Sequence, residues 1–155
     1  KKTVTILNAE TLPKAGPNIE FAALPARFEI DEEDWPDEAT YRDYIFFKWP
    51  DDLCGTICVL THTFLFFDQY QFHQFYNPQQ IYGFVYDLLN MASRIAACPV
   101  TYFDSETMLY RESTIEPECR TGANLKADIL ETLLFVAGKM VDAARNGKCL
   151  AIIGI

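Results

Sequence analysis

"TICVLTHTFLFFDQYQFHQFYNPQQIYGFVYDLLNMASRIAA", residues 56–97, contains the change of period on which the fold turns. From Thr56 to Phe72 the residues are largely β-branched or aromatic, and the run reads as a strand. It is longer than the mean strand of about 5–6 residues, so a bend or bulge inside it is expected. Gln69 to His73 alternate strictly, which puts Tyr70 and Phe72 on one face and Gln69, Gln71 and His73 on the other. The even-numbered aromatics, Phe66 and Phe72 above all, are expected to be buried. After Pro78 the period changes. Apolar residues at 81, 84, 85, 88, 91, 92 and 95 step by three and four, the signature of one helical stripe. Pro78 suits the first helical turn, and Pro99 stops the helix.

On the C-terminal side, "VTYFDSETMLYR" (100–111) reads as a hairpin around a turn at "DSET". A loop, "ESTIEPECRTG", leads into "ANLKADILETLLFVAGKMVDAARNG" (123–147). There Leu125, Ile129, Leu133, Val136, Met140 and Ala144 form a second stripe, and Gly147 is placed to end the helix. "KCLAIIGI" closes the sequence as a uniformly apolar strand, expected to be central. Residues 56–155 therefore follow the βαββαβ order of a ferredoxin-like core. Three strand candidates come before it: "TVTIL", "NIEFAALPARFEI" and "YIFFKW". Pro25 interrupts the second, which suits an edge strand or a bulge. "DEEDWPDEATYRD" (31–43) reads as an acidic loop or a single helical turn. The expectation is one α+β domain over 1–155: a mostly antiparallel sheet with two helices packed on one face.

Half of the 155 residues are apolar, enough for a full core without disulfide staples. The net charge of −9 disfavours phosphate backbones and anionic membranes and favours encounter with a basic partner. Five cysteines, at 54, 58, 98, 119 and 149, are an odd count without dense spacing, as in reduced cytoplasmic proteins. No apolar run approaches the roughly 20 residues of a transmembrane helix, and "KKTVTILNAE" lacks the apolar region of a signal peptide.

Catalytic signatures are missing from the sequence. Seven glycines form no phosphate-binding loop, there is no nucleophile elbow, and the paired carboxylates cluster as a solvated face does. Cys54, Cys58 and His62 raise the question of a metal site. Along a strand, however, residues 54 and 62 would lie about 25 Å apart, and no second ligand pair follows. No catalytic residue, cofactor or metal is assigned.

The segment from Glu29 to Asp52 carries ten carboxylates against Arg42 and Lys48, interleaved with aromatic residues. The plain reading is a solvated loop before a core strand. The sharper reading is a contact surface, in which aromatics supply area while carboxylates steer a basic partner. Asp31, Glu32, Glu33, Asp34, Trp35, Asp37, Glu38 and Tyr41 are the candidate contacts. A nucleic-acid platform would combine strand aromatics with basic residues, and there is no Lys or Arg between Asp51 and Asn90.

The stretch "LLNMASRIAACPVTYFDSETMLY" (88–110), a helix then a short strand then an xDxxT turn, resembles a pattern in bacterial toxin-immunity proteins. The small size, the acidity and the aromatic-acidic segment resemble that class too. The resemblance implies a binding inhibitor that occludes a cognate toxin or enzyme, with the acidic segment facing it. The alternative is a small-ligand or regulatory domain whose aromatic-lined pocket lies between sheet and helices. Under either reading, exposed aromatic strands make a homodimer a further option.

Overall fold

The computed structural model describes residues 18–30, 34–50, 54–55, 57–58, 61–63, 71–103 and 122–154. The elements run β1 (Asn18–Leu24), α1 (Glu38–Tyr41), a 3-10 turn (Arg42–Tyr44), β2 (Ile45–Pro50) and β3 (Phe72–Phe75). Then follow α2 (Pro78–Ala97), a second 3-10 turn (Val100–Phe103), α3 (Gly122–Arg145) and β4 (Cys149–Ile153). The four strands form one antiparallel sheet in the order β2-β1-β4-β3. The chain is thus α+β, as its patterning indicates.

β4 explains the layering. All five of its residues are buried, so both faces of the sheet carry a core. On the first face Leu150 and Ile152 join Ile19, Phe21, Phe47 and Trp49. Both helical stripes pack here: Ile81, Leu88 and Ile95 from α2, with Leu125, Ile129 and Met140 from α3. The register of β1 against β2 slips between Phe21 and Ala22, so Phe47 pairs with Phe21 and Ile45 with Ala22. The extra residue, Phe46, also approaches Phe21, with ring centroids 6.3 Å apart. On the second face Cys149, Ala151 and Ile153 meet Ala22, Leu24 and Tyr41, with Phe28, Ile45 and Phe72 at the margin.

Both long helices carry the stripes read from the sequence. The buried residues of α2 are Ile81, Phe84, Val85, Leu88, Met91, Ala92 and Ile95. Asn77 accepts a hydrogen bond from the Gln79 N–H (3.0 Å) and caps its start. At its C-terminal end Lys126 of α3 donates to the Ala96 and Cys98 carbonyls at 2.8 and 2.7 Å. That side chain satisfies acceptors left open by the helix end and locks the two helices together.

Three expectations are corrected. β1 is not an edge strand, since it pairs with β2 on one side and β4 on the other. Pro25 lies just past Leu24, the last paired residue, and so removes no ladder bond. Val100–Phe103 form a 3-10 turn where the first strand of a hairpin was expected, with Phe103 buried against both helices' core. The long strand is also absent at its start: Cys54, Gly55, Ile57, Cys58 and Thr61 are helical. Their i, i+3, i+4, i+7 spacing puts Cys54, Ile57, Cys58 and Thr61 on one face, and the core takes that face.

Among the described residues of this stretch, strand structure is found at β3. His73 lies against Phe75 on the helix side of the sheet, so the side expected to be polar faces the first core instead. Phe72 is half-buried on the opposite face. The N-terminal "TVTIL", Phe64, Phe66, Gln69, Tyr70 and the "DSET" turn lie outside the described residues.

Two helix ends share one geometry. The Lys148 N–H reaches the Ala143 carbonyl (2.9 Å) across Gly147, whose φ is +65°. Likewise the Thr63 N–H reaches the Cys58 carbonyl (3.1 Å) across His62, whose φ is +53°. Both are Schellman ends with a left-handed residue, glycine in one and histidine in the other. A Cβ in that conformation costs about 1–2 kcal/mol. Gly147→Ala should therefore lower stability by about 1 kcal/mol, and His62→Gly should raise it by up to about 1 kcal/mol. Urea midpoints of both variants, with unchanged slopes, check the pair of opposite signs.

Candidate functional site

The second face of the sheet is covered by an acidic strap made, among the described residues, of 25–30 and 34–44, between the end of β1 and the start of β2. Its anchor is polar. The Gln74 side chain on β3 accepts from the Phe28 N–H (2.6 Å) and donates to the Phe28 carbonyl (3.2 Å). One amide thus satisfies both main-chain groups of Phe28, as a neighbouring strand would. Phe28 stacks on Phe72 at 6.4 Å, and Trp35 leans on the same ring at 6.5 Å. Nearby, the Arg27 guanidinium lies 5.1 Å from the centre of the Tyr76 ring.

Asp37 then starts α1, its carboxylate accepting from the Ala39 N–H at 3.2 Å. Glu38 pairs with Arg42 one turn later at 3.5 Å, an exposed contact of small energetic weight. Asp34, Trp35, Asp37 and Glu38 are exposed, Trp35 to 50%. These four candidates from the sequence are thus open to solvent. Asp31, Glu32 and Glu33 lie outside the described residues. Tyr41 is corrected: at 7% exposure it belongs to the second core, because it closes the only turn of α1 onto the sheet.

Beneath the strap lies a charged residue that the sequence reading missed. Glu20 of β1 is 8% exposed, and its Oε2 has no hydrogen-bond partner among the described residues. Lys48 on the paired strand position stands 4.0 Å away, which relieves the charge without a hydrogen bond. Burial pushes the Glu20 carboxyl above the usual range, Lys48 pulls it back in part, and Glu38 adds to the rise. Burial, followed by the charge of Glu20, raises the Tyr41 phenol as well. Only the alternation of "NIEFAAL", which puts Glu20 beside Ala22 and Leu24, marked it for the second core.

Between strap and sheet edge runs a groove of about 350 Å³, walled by Arg27, Phe28 and Ile30 on one side and residues 71–76 on the other. The Gly154 N–H bonds the Gln71 carbonyl (3.1 Å). By antiparallel alternation, His73 and Phe75 then exchange bonds with β4, and Phe72 and Gln74 turn their main-chain groups toward the groove.

The metal question resolves differently from the strand-based argument. Cys54 and Cys58 are helical and stand one turn apart on a face turned to the core, so the strand spacing does not apply to them. Among the described residues, no group of three or more His, Cys, Asp or Glu side chains could hold a metal ion. Nor is any helix among them long and apolar enough to cross a membrane. No protein-family model, curated protein or solved structure matches the chain.

Two outcomes test this geometry. Gln74→Ala strands the Phe28 main chain and should cost about 1–3 kcal/mol, with the Phe28 amide exchanging markedly faster. For Glu20, a folded pKa above the unfolded one means the native state holds the proton longer. Its contribution is favourable below the ordinary glutamate pKa and lost as pH rises through the raised value. Glu20→Gln should therefore stabilise the protein at pH 7 and converge with wild type near pH 4, as denaturant titrations at the two pH values will read.

Proposed function

We propose that the protein is an acidic binding module that neutralises a basic toxin or enzyme by occlusion, in the manner of an immunity protein. The observation that carries this reading is the strap itself. Asp34, Asp37 and Glu38, neighbours of the half-exposed Trp35 in the chain, are exposed, and the strap is held by Gln74 at Phe28 and by the Phe72 ring at Trp35. An aromatic anchor within a carboxylate field on a preorganised backbone suits recognition of a cationic protein surface. The chain's net charge of −9 acts in the same direction over longer range. The proposal places the protein in the cytoplasm, without cofactor, catalytic residue, nucleic-acid partner or membrane partner, and with self-association as an option. It also keeps the finer topology: β3 pairs antiparallel with β4 across α2 and α3, as first and last strands do in a βαββαβ unit.

The groove favours a second reading. At about 350 Å³, with Phe28, Phe72, Phe75 and Tyr76 in its walls, it is within the size range of small-ligand pockets. It lies at the β3 edge, not between sheet and helices.

The test uses the product of the neighbouring gene as the probe. Asp34→Lys combined with Glu38→Lys leaves the Asp37 cap in place and should weaken that complex at least tenfold at low salt. Glu131→Lys, an exposed change on α3, should leave it unchanged. Equal affinity of the double variant and wild type would remove the strap from the interface. A small molecule that raises the melting temperature of wild type but not of Phe72→Ala would transfer the function to the groove.

A further inference from the structure

β3 is an outer strand: among the described residues only β4 pairs with it. The register fixes which of its main-chain groups are used. The Gln71 carbonyl accepts from the Gly154 N–H, and His73 and Phe75 stand opposite Ile152 and Leu150. By antiparallel alternation these odd-numbered residues are the ones bonded to β4. Phe72 and Gln74 therefore turn a donor and an acceptor each to the other side, spaced along the strand by about 6.6 Å.

The groove is the space that these groups face. Consecutive residues, 71–76, form one of its walls. Strand side chains alternate between faces, so a wall that uses residues of both parities is the main-chain edge itself. The strap wall opposite offers side chains at Phe28, whose N–H and carbonyl are already taken by Gln74. A row of outward main-chain donors and acceptors is matched by another extended chain, which pairs with it as an added strand.

Charge narrows the choice of chain. Arg27 is the only Lys, Arg, Asp or Glu in the lining of the groove, although the protein as a whole carries −9. Its guanidinium lies over the Tyr76 ring just past β3, and its contact with Glu29 at 3.7 Å is exposed and weak. Beside Phe72 the strap presents the Phe28 ring. A second copy of the protein would bring Phe72–Phe75, which has no carboxylate for Arg27, on a molecule of the same net charge. We propose that the β3 edge binds an acidic, extended peptide by strand addition. The peptide runs antiparallel to β3, the sense of every described pair in this sheet. Alternate peptide residues exchange main-chain hydrogen bonds with Phe72 and Gln74 and turn their side chains toward the strap. One of these is a carboxylate that meets Arg27; the next, two residues away, is apolar and packs on Phe28. This site is separate from the outer carboxylates of the strap, so it does not rest on the occlusion reading.

The experiment selects phage-displayed random peptides on the full chain and then measures the enriched peptide as a synthetic product. Enriched sequences should carry Asp or Glu with an apolar residue two positions away. Arg27→Glu, an exposed change, should weaken the synthetic peptide at least about tenfold. N-methylation of single peptide residues should cost at least about tenfold at every second position and under about twofold between them, because only alternate N–H groups reach β3. With peptide bound, hydrogen exchange should slow at the Phe72 and Gln74 amides and stay unchanged at His73 and Phe75, which β4 already holds; this readout needs no substitution. Asp34→Lys combined with Glu38→Lys should bind the peptide no more weakly than wild type, so failure of the strap reading and failure here are read separately. The proposal is overturned if no peptide is enriched, if enriched peptides are basic or bind Arg27→Glu as they bind wild type, if N-methylation acts without a period of two, or if protection misses Phe72 and Gln74.

Discussion

Burial of β4 on both faces is the constraint from which the rest of the architecture follows. Cys149–Ile153 present apolar side chains alternately to two sides, and exposing either row forfeits about 25 cal/mol for every Å² returned to water. A sheet with one helical layer would satisfy Leu150 and Ile152 and leave Cys149, Ala151 and Ile153 wet. The chain meets the second demand with the loop between its first two strands. That connection leaves and re-enters the same end of the sheet, since Ala22 pairs with Ile45, and it brings Phe28 and Tyr41 onto the second face. The strap is therefore a structural cover first, and its outer surface is available for contact because its inner surface is already committed.

How the cover is held matters for what it can present. Its apolar payload is small next to the helical layer, so polar contacts fix its position: the Gln74 amide on Phe28 and the Asp37 cap on α1. A carboxylate-rich loop repels itself, and such fixed points hold it against the sheet where apolar burial alone would be thin. Glu20 beneath it works in the opposite direction, since a desolvated carboxylate with only Lys48 at 4.0 Å costs stability at neutral pH. The second face is thus the less stable half of the sheet, and the helical face is the half that secures the fold.

The sequence was most legible where one physical signal acted alone. The stripes of α2 and α3 are unmixed 3.6-residue patterns with Pro78 and Gly147 at their ends, and every stripe residue named from the sequence is buried. β4 was legible as central because nothing in "CLAII" could face water. Failure came where two signals competed. "TICVLTH" has the β-branched composition of a strand, yet Cys54, Ile57, Cys58 and Thr61 also fit a helical face. Local propensity is worth tenths of a kcal/mol per residue, whereas burying one such face is worth several. The helix end there is a histidine in the left-handed region, not a glycine, so the usual stop signal was missing. Tyr41 was read with its acidic neighbours because the one-turn helix that rotates it inward is too short to show a period.

Division of labour between the two faces also decides how the candidate site can vary. The sheet lies between the helix layer and the strap, and its strands carry both cores. Changes at Asp34 or Glu38 alter charge on an exposed surface and should leave Leu88, Ile129 and their neighbours undisturbed, because sites without shared partners contribute nearly independently. Tyr41 and Phe72 differ, since each belongs to the second core as well as underlying the exposed acids. A partner that presses on Trp35 presses through Phe72 onto β3, the strand whose Gln74 clamps the strap and whose edge lines the groove. Contact surface, clamp and groove therefore share a single four-residue strand, and whatever binds at one of them acts on the other two.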